Sequence, residues 1–129
     1  MSKKVLLVDD EVGFTELLKI NLEKAGEFEV QIENDSTLAL GTARRFQPDA
    51  IILDVVMPGM DGGDVQAQLQ GDPFLRSVPI IMLTALVDSA ELSEGAVAQS
   101  GSSIMLPKPV DLALLLNVLH KAVKGAEEA

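Results

Sequence analysis

Four short runs of apolar residues, each closed by polar ones, constrain this chain more than anything else in it. Val5–Val8 runs into Asp9-Asp10-Glu11, and Ala50–Leu53 runs into Asp54. Ile80–Leu83 runs into Thr84-Ala85, and the strand Ser103–Leu106, apolar from Ile104, into Pro107-Lys108-Pro109. Runs of this length with little polar alternation fit strands buried on both faces. One further strand, Phe28–Ile32, second in chain order, alternates apolar and polar residues and reads as an edge strand. Helical spacing fills the gaps. Val12–Ala25 places Phe14, Leu17, Leu18, Leu22 and Ala25 on one face and stops at Gly26. Ser36–Phe46 turns Leu38, Ala39, Ala43 and Phe46 inward, with Asp35 or Ser36 as its cap. A short helix after Gly62 offers Val65, Ala67 and Leu69 until Gly71-Asp72-Pro73 breaks it. Asp88–Ser100 is the weakest helix, with Gly95 inside it. Asp111–Lys124 is the most apolar, with a stripe of Leu112, Leu115, Leu116, Leu119 and Val123 and the pair Leu114 and Val118 outside it. Five alternations of strand and helix, joined by right-handed crossovers, make an α/β, doubly wound parallel sheet covered on both faces.

Composition narrows the class. At 129 residues the chain forms one domain with one core, residues 1–124, followed by a tail at 125–129. A formal charge of −10 argues against binding nucleic acid, which needs clustered Lys and Arg. The absence of cysteine excludes disulfides, thiol nucleophiles and thiolate metal sites. No apolar run approaches the length of a membrane span, and the four apolar residues before Asp9 are too few for a signal peptide. The expectation is a cytoplasmic protein with no membrane contact.

The strand ends carry the chemistry. In a parallel sheet they share one rim, where ligands collect. Asp54 stands at such an end, with Pro58, Gly59 and Gly62 stopping regular structure just beyond. From that stretch alone, a strand-capping turn acid remains an equal alternative. Asp9, Asp10 and Glu11 repel one another, by about 3 kcal/mol per pair at an effective dielectric near 20. A helix dipole accounts for Glu11 but less well for the pair on the strand terminus. If the strands run in the order 2-1-3-4-5, Asp9, Asp10, Asp54, Thr84 and Lys108 ring one pocket, and the second strand contributes nothing to it. Three carboxylates against one ammonium attract a divalent cation, and all-oxygen donors suit Mg2+. A metal allows an anion to approach these acids, Lys108 gives a second positive contact, and Thr84 offers a hydroxyl. Together they suit formation of an aspartyl phosphate.

With these pieces in this order, the chain resembles the response-regulator receiver domains of two-component signalling over essentially its whole length. The matching segments are Val8–Glu11, Leu53–Gly62, Leu83–Ala85 and Leu106–Pro109. The resemblance implies a flavodoxin-like five-stranded parallel sheet in the order 2-1-3-4-5 with five helices. It implies that Asp54 accepts a phosphoryl group from a phosphohistidine on a sensor histidine kinase or phosphotransfer protein. Asp10 would hold Mg2+ directly and Asp9 more through water, with Asp54 and the backbone carbonyl of Val56 as further ligands. Thr84 would bond the phosphoryl group and shift toward it, Lys108 would pair with it, and Lys108-Pro109 would be cis. Such a domain assists its own phosphorylation and dephosphorylation without being an enzyme.

One position departs from the family pattern. Met105 stands where the family usually has Tyr or Phe, three residues before the Lys. Met either dampens the conformational response of the 84–110 face or is simply core. The output surface is expected on the fourth helix, fifth strand and fifth helix, with Leu114 and Val118 as contacts to a downstream protein or a second copy. Val56 and Leu86 flank the acceptor and bear on phosphoryl lifetime. His120 reads as a surface histidine. A dehalogenase-type phosphatase is the competing class, but it wants an acid two residues after the nucleophile, and that position is Val56. A receiver-like module that has lost phosphorylation is the third. No DNA-binding or catalytic output segment is attached, which reads as a stand-alone receiver or a piece of a longer protein.

Overall fold

The computed structural model describes residues 2–84, 98–100 and 103–128. Its elements are β1 (Lys3–Val8), α1 (Val12–Lys24), β2 (Phe28–Glu33), α2 (Ala39–Phe46), β3 (Ala50–Asp54), α3 (Gly62–Gln70), β4 (Ile80–Thr84), β5 (Ala98–Ser100), β6 (Ser103–Pro107) and α4 (Leu112–Glu128). A 3-10 turn, Ser36–Leu38, leads into α2, and Asp35 caps it by accepting the Thr37 N–H. The sheet runs β2-β1-β3-β4-β6-β5, and its first five strands in that order are parallel. This is the expected 2-1-3-4-5 arrangement.

β5 is an addition and a correction. Residues 98–100 pair antiparallel with β6, Gln99 opposite Ile104, where a helix over Asp88–Ser100 was expected. Only two residues separate β5 from β6, and a connection that short permits antiparallel pairing alone. The rest of that expected helix, residues 88–97, lies outside the described residues, as does Leu86. Toward the C-terminus, α4 continues to Glu128, past the Gly125 at which the sequence reading placed a tail. Among the described residues no helix is long and apolar enough to cross a membrane.

Strand residues alternate between two helical layers. Val5, Leu7, Ile52, Ile81, Leu83 and Leu106 pack with Leu18 and Leu22 of α1 and Leu115, Leu119 and Val123 of α4. Leu6, Val8, Ile51, Leu53 and Met82 pack with Ala39 and Ala43 of α2 and Val65 and Leu69 of α3. Both faces of the central strands are therefore dry, which explains why their runs carry no polar alternation.

Helix rotation differs from the sequence reading at several positions. Leu17 and Leu38 are exposed, and buried Thr15 takes the inward place on α1. Ala67 of α3 is also exposed. Val118 is buried with the core rather than outside the stripe, and Leu114 is half-buried against the same cluster. Positions 115, 118, 119 and 123 form an arc wide enough to cover the sheet, so Val118 is not a free contact surface. His120 is at the surface, with Nδ1 3.0 Å from Glu27 Oε2.

The bend after β3 depends on Gly62. Its N–H donates to the Val55 carbonyl at 2.7 Å. A Cβ placed on Gly62 would run into the Asp54 carbonyl oxygen and come 2.7 Å from Val55 Cα. Both obstacles are backbone and cannot turn away. Gly62→Ala is therefore expected to cost about 1–3 kcal/mol of stability by overpacking, measured by urea unfolding. A loss below about 0.5 kcal/mol would mean that the bend opens freely.

Candidate functional site

The carboxyl ends of β1, β3, β4 and β6 meet on one rim. β1 ends at Val8, so Asp9 and Asp10 follow directly. Asp54 is the last residue of β3 and pairs in register with Leu83, one residue before Thr84. Thr84 pairs with Pro107, and its carbonyl accepts the Lys108 N–H at 2.9 Å. The parallel register thus converts four separate sequence positions into neighbours. The Lys108-Pro109 bond is cis, as the family resemblance implies.

The carboxylate oxygens of Asp9, Asp10 and Asp54 can all lie within 4.8 Å of one another. Asp9 and Asp54 are buried, and Asp10 is exposed at the mouth. The Lys108 ammonium reaches down among them. Its Nζ lies 2.9 Å from Asp9 Oδ2, 3.3 Å from Glu11 Oε1 and 3.4 Å from Asp54 Oδ2. Asp9 Oδ1 accepts the Glu11 N–H at 3.0 Å, which fixes its carboxylate. Buried Thr84 completes the set. All five sequence-predicted side chains are therefore on one rim, with Val56 exposed beside the acceptor.

Electrostatics leave the site short of positive charge. Burial, and then the negative charge of Asp9, hold the Asp54 carboxyl above its ordinary value. Lys108 and the Val56 N–H, which donates to the carboxylate, pull it back only in part. Burial pulls Lys108 down. The hydrogen bond and charge of Asp9, the charge of Asp54 and the hydrogen bond to Glu11 outweigh it and hold the ammonium above its ordinary value. Lys108 is thus a fixed cation, and one ammonium does not neutralise three carboxylates. Hard oxygen donors clustered at this spacing fit Mg2+, with water completing its octahedron. An ionised, partly desolvated carboxylate beside a cation can act as a nucleophile toward phosphorus.

Several contributors escaped the sequence reading. Glu11 was assigned to the helix start, yet it contacts Lys108. Phe14 was assigned to the core, yet its ring lies 4.8 Å from the Lys108 Nζ, a cation–π contact. The three-residue spacing of Glu11 and Phe14 on one helical turn was the available signal. β2 was expected to contribute nothing. Its C-terminal connection instead sends Asn34 to the Asp9 carbonyl at 2.7 Å and Ser36 to the loop after Asp54.

Comparison with known proteins bears on the family and the fold. Residues 5–120 match the family profile described as the response regulator receiver domain. The chain is 41% identical over 115 residues to the response regulator PleD of Caulobacter vibrioides, covering 89% of this chain and 25% of PleD. It therefore spans about a quarter of that relative's length. Chemotaxis protein CheY4 of Vibrio cholerae superimposes with a TM-score of 0.78 at 31% identity, covering 95% of this chain and 99% of the other. The receiver domain of sensor histidine kinase PA1611 from Pseudomonas aeruginosa, solved with a magnesium ion in its active-site cleft, gives a TM-score of 0.78 at 28% identity. That match covers 96% of this chain and 99% of the other.

Proposed function

Because this chain belongs to the response regulator receiver domain family, we propose that it is a phosphoacceptor switch whose acceptor is Asp54. The observation that carries the reading is the convergence of Asp9, Asp10 and Asp54 on one oxygen-lined cleft with the Lys108 ammonium between them. A histidine kinase or phosphotransfer protein of the same pathway supplies the phosphoryl group in the cytoplasm.

The chemistry is a displacement at phosphorus. An Asp54 carboxylate oxygen forms the new P–O bond while the P–N bond to the donor imidazole breaks, and the electron pair leaves with the imidazole nitrogen. Asp9, Asp10, Asp54 and the Val56 carbonyl would hold Mg2+, which when bound neutralises the phosphoryl oxygens as the donor approaches. Lys108, already 3.4 Å from the Asp54 carboxylate, needs only a small swing from Asp9 to meet the transferred group. Thr84, at the end of the neighbouring strand, follows that group with its hydroxyl. Hydrolysis later needs a water that no side chain of a general base activates at position 56, where Val56 stands exposed. The same residue speaks against a dehalogenase-type phosphatase.

The signal leaves through the strand that carries Lys108. Movement of Thr84 and Lys108 reaches β6 and α4, and the outer side of that face binds a downstream protein or a second copy of the chain. Met105 is half-buried against the α2/α3 layer, next to Met82 in register.

Acetyl phosphate tests the reading without a kinase. Intact mass should show one phosphoryl adduct with Mg2+ and none in excess EDTA. Adduct formation that ignores EDTA, or steady turnover of unrelated phosphate esters, would remove the proposal.

A further inference from the structure

The connection between β2 and α2 touches both walls of the acid cleft. On one side, Asn34 donates through Nδ2 to the Asp9 carbonyl at 2.7 Å and to Thr15 Oγ1 at 3.0 Å. Thr15 is fully buried and donates to the Val12 carbonyl at 2.9 Å. Asn34 thereby ties the acid-bearing end of β1 to the first turn of α1. On the other side, Ser36 is buried, and its hydroxyl makes two bonds to a single turn. It donates to the Pro58 carbonyl at 3.0 Å and accepts the Met60 N–H at 3.1 Å. Gly59, between them, has φ of 85°, a left-handed conformation that suits glycine.

That turn directly follows the acceptor. Val56 lies between Asp54 and Pro58, and its N–H donates to the Asp54 carboxylate. Buried Met57 and the hydroxyl on Pro58 pin the segment immediately downstream of Val56. Upstream, the Val55 N–H donates to the Leu83 carbonyl at 3.0 Å. The backbone at 56 is therefore fixed from both ends, and the Ser36 hydroxyl bonds the 58–60 turn twice.

We infer that Asn34 and Ser36 are positioning residues: they form a brace that holds the Asp9/Asp10 wall and the Val56 loop at the separation a bound Mg2+ requires. The inference rests on the metal reading above and extends it to two residues outside the donor set. Outer-sphere groups of this kind orient metal ligands, and their loss weakens metal affinity by roughly 10–100-fold.

The chain lacks Trp and Tyr, so Mg2+ binding to the unphosphorylated protein is best followed by amide NMR shifts. Asn34→Ala and Ser36→Ala should each raise the Mg2+ dissociation constant roughly tenfold. The double variant should fall short of the product of the two, because either lesion alone releases the spacing. Val30→Ala serves as the control for stability alone, since it removes core volume from the strand that carries the connection. It should lower Tm and leave the Mg2+ constant within twofold. If Ser36→Ala does not fold, Gly59→Ala strains the same turn from its other side and should weaken Mg2+ similarly. The brace is refuted if the folded variants bind Mg2+ like the parent, or if Val30→Ala weakens Mg2+ as much as they do. Acetyl phosphate uptake by the unaltered chain separates the two readings. A chain that binds Mg2+ but takes no phosphoryl group overturns the acceptor role and not the brace, whereas a chain that binds no Mg2+ overturns both.

Discussion

Asp54→Asn is expected to abolish phosphoryl incorporation from acetyl phosphate, a loss of about a thousandfold or more, while leaving the protein folded. The amide preserves shape and removes the attacking oxygen's charge, and removal of a nucleophile costs several powers of ten. The same substitution carries a stability signature of opposite sign. Burial and Asp9 raise the Asp54 pKa in the folded state above its ordinary 3.8. The folded state therefore binds the proton more tightly than the unfolded one. Its relative advantage is complete below the ordinary value and is lost as pH rises through the raised value. Neutral pH without divalent cations is thus the unfavourable condition for the parent. There Asp54→Asn should raise Tm, and the gain should shrink as pH is lowered toward 3.8. Mg2+ should also erase it, by stabilising the parent selectively. A variant that still takes up phosphate would move the acceptor elsewhere, and one with an unchanged Tm would mean that the carboxylates are already balanced.

Lys108→Ala should lower the rate of phosphoryl uptake by about a hundredfold. A fixed cation or donor aimed at developing charge contributes on that order in enzyme sites. Here the ammonium is held by Asp9, Glu11 and Asp54 at 2.9, 3.3 and 3.4 Å and lies over the Phe14 ring at 4.8 Å. Its removal leaves Asp9 and Asp54 facing each other without a cation between them. Mg2+ affinity should therefore stay equal or rise while uptake at saturating Mg2+ falls. That split separates a group acting on the phosphoryl from one that only organises the acids. Lys108→Arg should not restore the parent rate, because a planar fork does not fit a slot shaped for a compact ammonium. Rapid mixing with acetyl phosphate and quench at saturating Mg2+ measures it, and an undiminished rate would remove Lys108 from the chemistry.

Other residues of the cleft follow from geometry that no local pattern encodes. Glu11 and Phe14 acquire their contacts with Lys108 only because β6 ends beside the start of α1. Asn34 and Ser36 are short polar side chains in a loop, where capping and turn formation already explain their presence. Nothing local marks one as reaching β1 and the other as reaching the loop after β3. Gly62 reads as a turn glycine, whereas its lack of a side chain is required by the Asp54 and Val55 backbone passing alongside.

Local patterning was enough to specify the parallel strands, their polar ends and the residues that meet there. Burial on both faces leaves an unbroken apolar run, and the polar residue that ends each run is forced onto a shared rim. The cis bond at Pro109 followed from the family resemblance, since a Lys-Pro pair alone only makes cis permissible. Tertiary structure alone decided which way each helix is turned: Leu17 faces out and Val118 faces in, because packing on the sheet, not apolar content, selects the buried arc. It decided that residues 98–100 join the sheet antiparallel. Above all, it decided which polar side chains back the walls of the cleft. A hydrogen bond between residues 25 or 22 positions apart, such as Asn34 to Asp9 or Ser36 to Pro58, exists only once the intervening chain has packed.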